Sequence, residues 1–329
     1  MRAIPYTQLS TLSTQPLAPT PYLDSESTRL IEVSDEVTMA LEQGLPVVAL
    51  ESSVIAHGLP NSLACECAFA MEAEVREAGA TPATVALLDG RVKVGLDHDA
   101  IRALASVNAV AKVNAGDIPL VAAMGARGAT TVSATVSIAD AVGIEVVATG
   151  GTGGVHRKWQ ESLDISADLH QLTRSSVALV CAGPKAIVDL KATAQWLETH
   201  NLPVVGLGTA VLPAFYTRHS GIRIPTVDGP EDVAAIWLAK QELGQGGSLI
   251  VAVPPPVEPE TDVLAAVEKA LREADTAQVS GPELTPLLLK RIADLTGGDS
   301  VRVNVALLKN NARAAGQIAA AISRARVSM

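Results

Sequence analysis

Several short runs in this chain are apolar at consecutive rather than alternate positions. They are Pro46–Leu50 (PVVAL), the centre of Ser176–Lys185 (SVALVCAGPK), Pro203–Leu207 (PVVGL) and Leu249–Val253 (LIVAV), with a shorter one at Glu145–Ala148. A strand with one wet face alternates; a strand apolar throughout is covered on both faces, as in a parallel sheet between helices. Helical patterns separate these runs, so the sequence predicts an α/β/α sandwich around a mostly parallel sheet. Aromatics are only 2% of the chain against 48% hydrophobic residues, so Ala, Val, Ile and Leu must build the core. An Asp89-Gly90 pair between Val85–Leu88 and Arg91–Val94 adds a β-hairpin.

Ser176–Lys185 is the most informative run. It ends in Gly183-Pro184, and a helical pattern follows from Ala186, which predicts Lys185 at a helix N-terminus at the mouth of the sheet. The helix dipole and partial burial would both favour a neutral amine there, and a neutral amine attacks aldehydes. The same pattern also describes a surface lysine in a strand-to-helix turn. Glu51 follows the PVVAL run, at the strand end where open α/β sheets place ligands. It reads as an acid/base group or, equally, as a cap or ion-pair partner.

Further along, Lys112 sits in an apolar run, and Thr130–Thr135 is a hydroxyl-rich opening to a helix over Val136–Val142. Such an opening suits an anion or carbonyl, and also ordinary capping. Gly150, Gly151, Gly153 and Gly154 form a loop with His156, Arg157 and Lys158 at its exit. Its backbone could approach a phosphate, but its spacing matches neither the dinucleotide nor the Walker pattern. Asp164 and Asp168 flank Ser166; on a helix start they would share a face, either as a hard-ligand site completed by water or as dipole-complementing acids. Pro254–Pro256 ends the last strand, and the final helix carries Asn304, Asn310 and Asn311, either base readers or solvated amides.

Residues 1–28 are rich in Pro, Ser and Thr without periodicity and read as a disordered tail; residues 29–329 read as one catalytic domain. Organellar import by the tail has weak support, since Arg2 is its only base. A formal charge of −10 leaves no basic field for nucleic acid. No run reaches membrane-spanning length and no signal sequence opens the chain, so the cytoplasm is the expected location. Cys65, Cys67 and Cys181 read as buried, reduced thiols.

Six stretches together resemble the pseudouridine-5′-phosphate glycosidases. They are Val47–Pro60 (VVALESSVIAHGLP), Gly79–Leu96, Thr130–Arg157, Asp164–Leu169 (DISADL), Cys181–Leu190 (CAGPKAIVDL) and Val303–Ala312 (VNVALLKNNA), in one order and covering nearly everything after the tail. The resemblance implies reversible cleavage of pseudouridine 5′-phosphate to uracil and ribose 5-phosphate, an activity classed by convention among carbon–oxygen lyases. It implies Lys185 as the Schiff-base nucleophile at C1′ and Glu51 as the proton donor and acceptor at the ring oxygen. It places substrate contacts at Lys112, Thr131, Val132, Ser166, Ala167, Asp168, His156 and Asn304, with Asn311 competing as the uracil reader. It implies one Mn²⁺ ion, other divalent metals being admitted, on Asp164 with water as most of its shell, and a homotrimer.

That chemistry accounts for the residue types. A C-glycoside offers no leaving heteroatom, so the paired carboxylates of ordinary glycosidases address the wrong bond. An amine that captures C1′ provides an electron sink for the C–C bond. The alternatives are a lysine-imine lyase or aldolase on another phosphosugar, and a phosphosugar-binding protein without chemistry.

Overall fold

A run apolar at every position needs cover on both sides, and among the described residues eleven strands interleave with helices to supply it. The computed structural model describes residues 30–59, 61–106, 110–277, 279 and 284–328; the expected tail over residues 1–28 lies outside them. The first half of the chain holds β1 (Ile31–Val33), α1 (Asp35–Glu42), β2 (Val47–Leu50), α2 (Asn61–Glu77), β3 (Thr81–Leu88) and β4 (Arg91–Val94). It continues with α3 (His98–Ser106), β5 (Ala111–Val113), α4 (Ile118–Ala123), β6 (Gly128–Thr130), α5 (Val132–Val142) and β7 (Val146–Ala148). Next come α6 (Trp159–Ser162), α7 (Ala167–Arg174), β8 (Ala178–Cys181), α8 (Leu190–Thr199), β9 (Val204–Leu207) and β10 (Thr226–Val227). The last elements are α9 (Pro230–Glu242), β11 (Leu249–Ala252), α10 (Val263–Thr276), α11 (Leu284–Leu295) and α12 (Asp299–Val327).

The central sheet runs β3-β2-β7-β8-β11-β9-β10, every pair parallel. β3 belongs to two sheets. Thr81–Thr84 pair in parallel with β2, whereas Val85–Leu88 pair antiparallel with β4, and Ala86 and Leu87 antiparallel with β6. Pro82 sits in the first half, on the edge of the central sheet, where its missing N–H costs no ladder bond. Asp89 and Gly90 both have positive φ, 51° and 78°, the geometry a tight two-residue hairpin needs.

The two faces of the central sheet bury separate cores. Val48 and Leu50 pack with Met71 of α2, Trp237 of α9 and Leu307 of α12, while Val47 and Ala49 pack with Val37 of α1, Val136 of α5 and Leu172 of α7. Each fully buried aliphatic side chain contributes about 1.5–3 kcal/mol relative to exposure. Small residues bring the layers close: a Cβ on Gly316 of α12 would lie 2.6 Å from Ala78 Cβ. Residues Ile31–Met329 form one compact unit. Among the described residues no helix is long and apolar enough to cross a membrane.

Three local readings are corrected. No helix begins at Ala186; α8 begins at Leu190, capped by Asp189, whose carboxylate accepts from the Ala192 N–H. The backbone before it bonds across to the glycine loop, Lys185 N–H to Thr152 O at 2.9 Å and Asp189 N–H to Val155 O at 2.8 Å. Those non-local partners replace the helical ones, so Lys185 sits on an irregular segment and not on a helix N-terminus. Asp164 likewise lies outside α7, which starts at Ala167 with Ser166 as its cap, because Ile165 bridges to Val155. Asp164 and Asp168 therefore share no helical face. The helix expected over Val136–Val142 starts within the hydroxyl run, at Val132 with Thr131 as its cap residue; after β2 the chain makes a π-helical turn over Val54–Gly58.

Candidate active site

The carboxyl ends of three neighbouring strands meet at one cleft of about 800 Å³ that is open to solvent. β2 delivers Glu51, β7 the glycine loop, and β8 the Gly183–Lys185 segment. Of the residues singled out in sequence, Glu51, Lys112, Thr131, His156, Ser166, Asp168, Lys185 and Asn304 all line it. Val132, Ala167 and Asp164 do not. The Val132 side chain is 1% exposed in the α1–α5–α7 core, Ala167 faces solvent and Asp164 is half-buried. Asn304 lines the cleft, whereas Asn311 is buried behind it and donates to Thr149 O at 2.8 Å.

Glu51 is only 5% exposed. Its Oε1 accepts from Thr149 Oγ1 at 2.6 Å and its Oε2 from Ser53 Oγ at 3.3 Å. Burial raises its pKa above the usual glutamate range, against the opposing Lys185 charge and the two hydroxyl donors. Lys112 is carried by β5, which β6 ties to β3, so the second sheet supplies it. Its pKa is lowered by burial and by the Lys185 charge, with Asp168, Glu51 and Asp164 opposing. Two lysines and two carboxylates thus act on one another within one cleft, with Asp164 acting from outside its lining.

Asp168 anchors the loop. Its Oδ1 accepts from Ser133 N–H at 2.9 Å and its Oδ2 from Gly153 N–H at 2.8 Å, joining α5, α7 and the glycine loop. The glycines are there for close packing: a Cβ on Gly153 would lie 2.1 Å from Ser166 Oγ, and one on Gly151 2.5 Å from Phe215 Cδ2. The N–H groups of Thr152, Gly153 and Val155 already have protein acceptors, so the loop offers fewer donors to a phosphate than its composition suggests. At its exit only His156 lines the cleft; Arg157 pairs with Glu268 and Lys158 with Asp275 on α10. Of the hydroxyl run, Thr130 and Thr135 bond to one another at 2.9 Å within the interior, and Thr131 alone lines the cleft.

The cleft also includes residues to which the sequence assigned no role. His57, on the π-helical turn, has a buried Nε2 with no hydrogen-bond partner, and burial and the Lys112 charge lower its pKa. Opposite it α11 contributes Thr285, Pro286 and Leu289. His57 lies in the quoted Val47–Pro60 stretch, but only the packing of the Val54–Gly58 turn on α11 makes it part of a wall. Among the described residues no cluster of three or more His, Cys, Asp or Glu is arranged around a metal position.

Residues 36–321 match the family described as Indigoidine synthase A like protein. A pseudouridine-5′-phosphate glycosidase of Herpetosiphon aurantiacus is 48% identical over 90% of this chain and 98% of its own length. That of Paracoccus denitrificans is 48% identical over 89% of this chain and 99% of its own. The chain belongs to the pseudouridine-5′-phosphate glycosidase family. The fold of the family extends to the prealnumycin C-glycosynthase AlnA, whose structure in complex with ribulose 5-phosphate is 37% identical, with a TM-score of 0.83 over 91% of this chain and 99% of that one. An indigoidine synthase A-like protein of Thermotoga maritima gives the same TM-score, 0.83, at 37% identity over 90% and 97%. The α/β/α class and the mostly parallel sheet expected from the sequence are those of these family structures.

Proposed function

We propose that this chain is a pseudouridine-5′-phosphate glycosidase that works through an imine on Lys185. The observation that carries the reading is the meeting of Lys185 and Glu51 across one cleft at the ends of β8 and β2, in a chain with relatives of that name over almost their whole length. In the cleavage direction Lys185 Nζ bonds to C1′ as the C1′–O4′ bond breaks, and Glu51 gives its proton to O4′. Uracil C5 then takes a proton, the nitrogen lone pair forms the C1′=N bond, and the C1′–C5 pair returns to the ring as its C5=C6 double bond. Water adds to the imine and releases ribose 5-phosphate and the free amine, so one water is consumed overall.

Burial of Glu51 suits the first step, because a raised pKa keeps its acid form to higher pH. Lys112, Ser166 and His156 line the cleft where a phosphosugar would lie, and Asn304 supplies an amide for the base. Among the described residues Asp164 is the carboxylate that fits a hard divalent cation here. The Asp164 carboxylate makes no hydrogen bond to the described residues, yet its charge reaches both His156 and Lys112. It would hold Mn²⁺ with water filling the other positions; bound there, the ion would supply positive charge that organises the phosphate and its waters. A homotrimer and a cytoplasmic location complete the proposal.

The test is incubation with pseudouridine 5′-phosphate and Mn²⁺, following free uracil. Borohydride added with ribose 5-phosphate should attach the sugar at Lys185. No uracil and no adduct from the wild-type protein would overturn the reading; an adduct without uracil release would move it to an imine lyase on another phosphosugar.

A further inference from the structure

Thr149 is the last residue before the glycine loop, fully buried at 0% exposure, and does not line the cleft. It is fixed from three sides. Its N–H donates to Val180 O of β8 at 3.0 Å, and its carbonyl accepts from Asn311 Nδ2 of α12 at 2.8 Å. Its hydroxyl donates to Glu51 Oε1 at 2.6 Å. A β-branched side chain on so constrained a backbone has little rotamer freedom, and a hydroxyl has one proton to give. Among the described residues the second oxygen of Glu51, Oε2, meets only Ser53 Oγ at 3.3 Å, a longer and weaker contact, and Ser53 itself lines the cleft.

We propose that Thr149, braced by Asn311, is the positioning residue of Glu51: it occupies Oε1 and thereby reserves Oε2 as the atom that exchanges the proton with the sugar ring. The inference rests on the acid/base role proposed for Glu51. A donor held on Oε1 opposes protonation there and fixes the plane of the carboxylate. The charged groups acting on Glu51 are Lys185, which favours its ionised form, and Asp168, which opposes it; Lys112 lies across the same cleft. None of these contacts the Thr149 hydroxyl among the described residues.

The experiment compares pH–rate profiles for pseudouridine 5′-phosphate cleavage in wild type, Thr149→Val and Thr149→Ser. In Thr149→Val the lost donor raises the Glu51 pKa. The limb on which activity falls as Glu51 ionises therefore moves to higher pH, while kcat drops about 10- to 100-fold, part of the roughly 10²–10⁴-fold that a positioned general acid–base group contributes. KM should stay within a factor of about three, since Thr149 touches no cleft surface, and Thr149→Ser should restore both limb and kcat. If Thr149→Val does not fold, Thr149→Cys makes the same test with a smaller change, because a thiol is a weak donor. A profile superimposable on wild type, or a loss of kcat with an unmoved limb that Ser does not rescue, overturns the proposal. So does a limb shift in Ser53→Ala as large as that in Thr149→Val. Should Glu51→Gln itself retain full turnover, the role of Glu51 has failed instead; an inactive Glu51→Gln beside a wild-type-like Thr149→Val would sink only the inference.

Discussion

A carboxylate buried in the cleft and an amine at the end of the strand two positions away make sense only as a pair. Lys185→Ala should abolish uracil release by at least about a thousandfold, the scale lost with a covalent nucleophile, while leaving the circular dichroism spectrum unchanged; residual turnover near wild type would remove the imine. Asp168 sets a different kind of prediction. Replacing it with Asn leaves one acceptor for two buried N–H groups and turns an NH₂ toward the other. Asp168→Asn should therefore lose about 2–3 kcal/mol in urea denaturation, the usual cost of stranding a buried donor once bonded to a charge. At this scale the sequence was legible where a residue stands at a strand end: Glu51, Lys185 and His156 all follow β-runs. Thr149 also follows a β-run, yet its role was not legible, because the carboxylate it meets lies 98 residues away and no local pattern encodes which hydroxyl meets which carboxylate.

The elements were easier to read in their centres than at their starts. Each of the five apolar runs bounded by turn residues, at Pro46–Leu50, Glu145–Ala148, Ser176–Lys185, Pro203–Leu207 and Leu249–Val253, holds a strand, whereas Leu120–Ala123, equally apolar, is the end of α4. Two of the misplaced helix starts, after Lys185 and at Asp164, lie on segments that bond to the glycine loop. There the competition between an i→i−4 partner and a distant carbonyl is decided by tertiary contact. This makes the loop a clamp on two neighbouring segments, and Gly153 its tightest point. Gly153→Ala should force Ser166 and the loop apart, because 2.1 Å to Ser166 Oγ leaves no room for a methyl group. We expect a loss of about 1–3 kcal/mol together with weakened ribose 5-phosphate binding by calorimetry; a variant with wild-type melting and affinity would show that the loop yields freely.

Across the whole molecule the far end of the sheet is tied as firmly as the site. Glu145, just before β7, accepts from Trp237 Nε1 and Gln241 Nε2 of α9 and pairs with Arg326 at the end of α12. Burial alone would raise its pKa, but Arg326 and the two neutral donors outweigh burial and lower it below 4.5. A carboxyl whose folded pKa is depressed stabilises the fold above its unfolded value and loses that contribution as pH falls through the folded one. Urea midpoints should thus decline from about pH 4.5 downward, and Glu145→Gln should flatten that decline; equal slopes would discount the cluster. At the same scale, sedimentation should give a mass three times that of the chain, and chelation should lower turnover until Mn²⁺ is restored, with Asp164→Ala no longer responding to the metal.

The order of the central strands has one more outcome. Because β7 lies between β2 and β8, the spacing between the attachment points of Glu51 and Lys185 is two ladder rungs, about 9.6 Å from a strand spacing of ~4.8 Å. A hydrogen-bonded lattice is a stiff gauge, indifferent to what happens in the surrounding loops. The wall opposite, made of α11 and the Val54–Gly58 turn, carries no such constraint. A designer wishing this scaffold to join ribose 5-phosphate to a different carbon nucleophile should recut that wall and leave the gauge untouched.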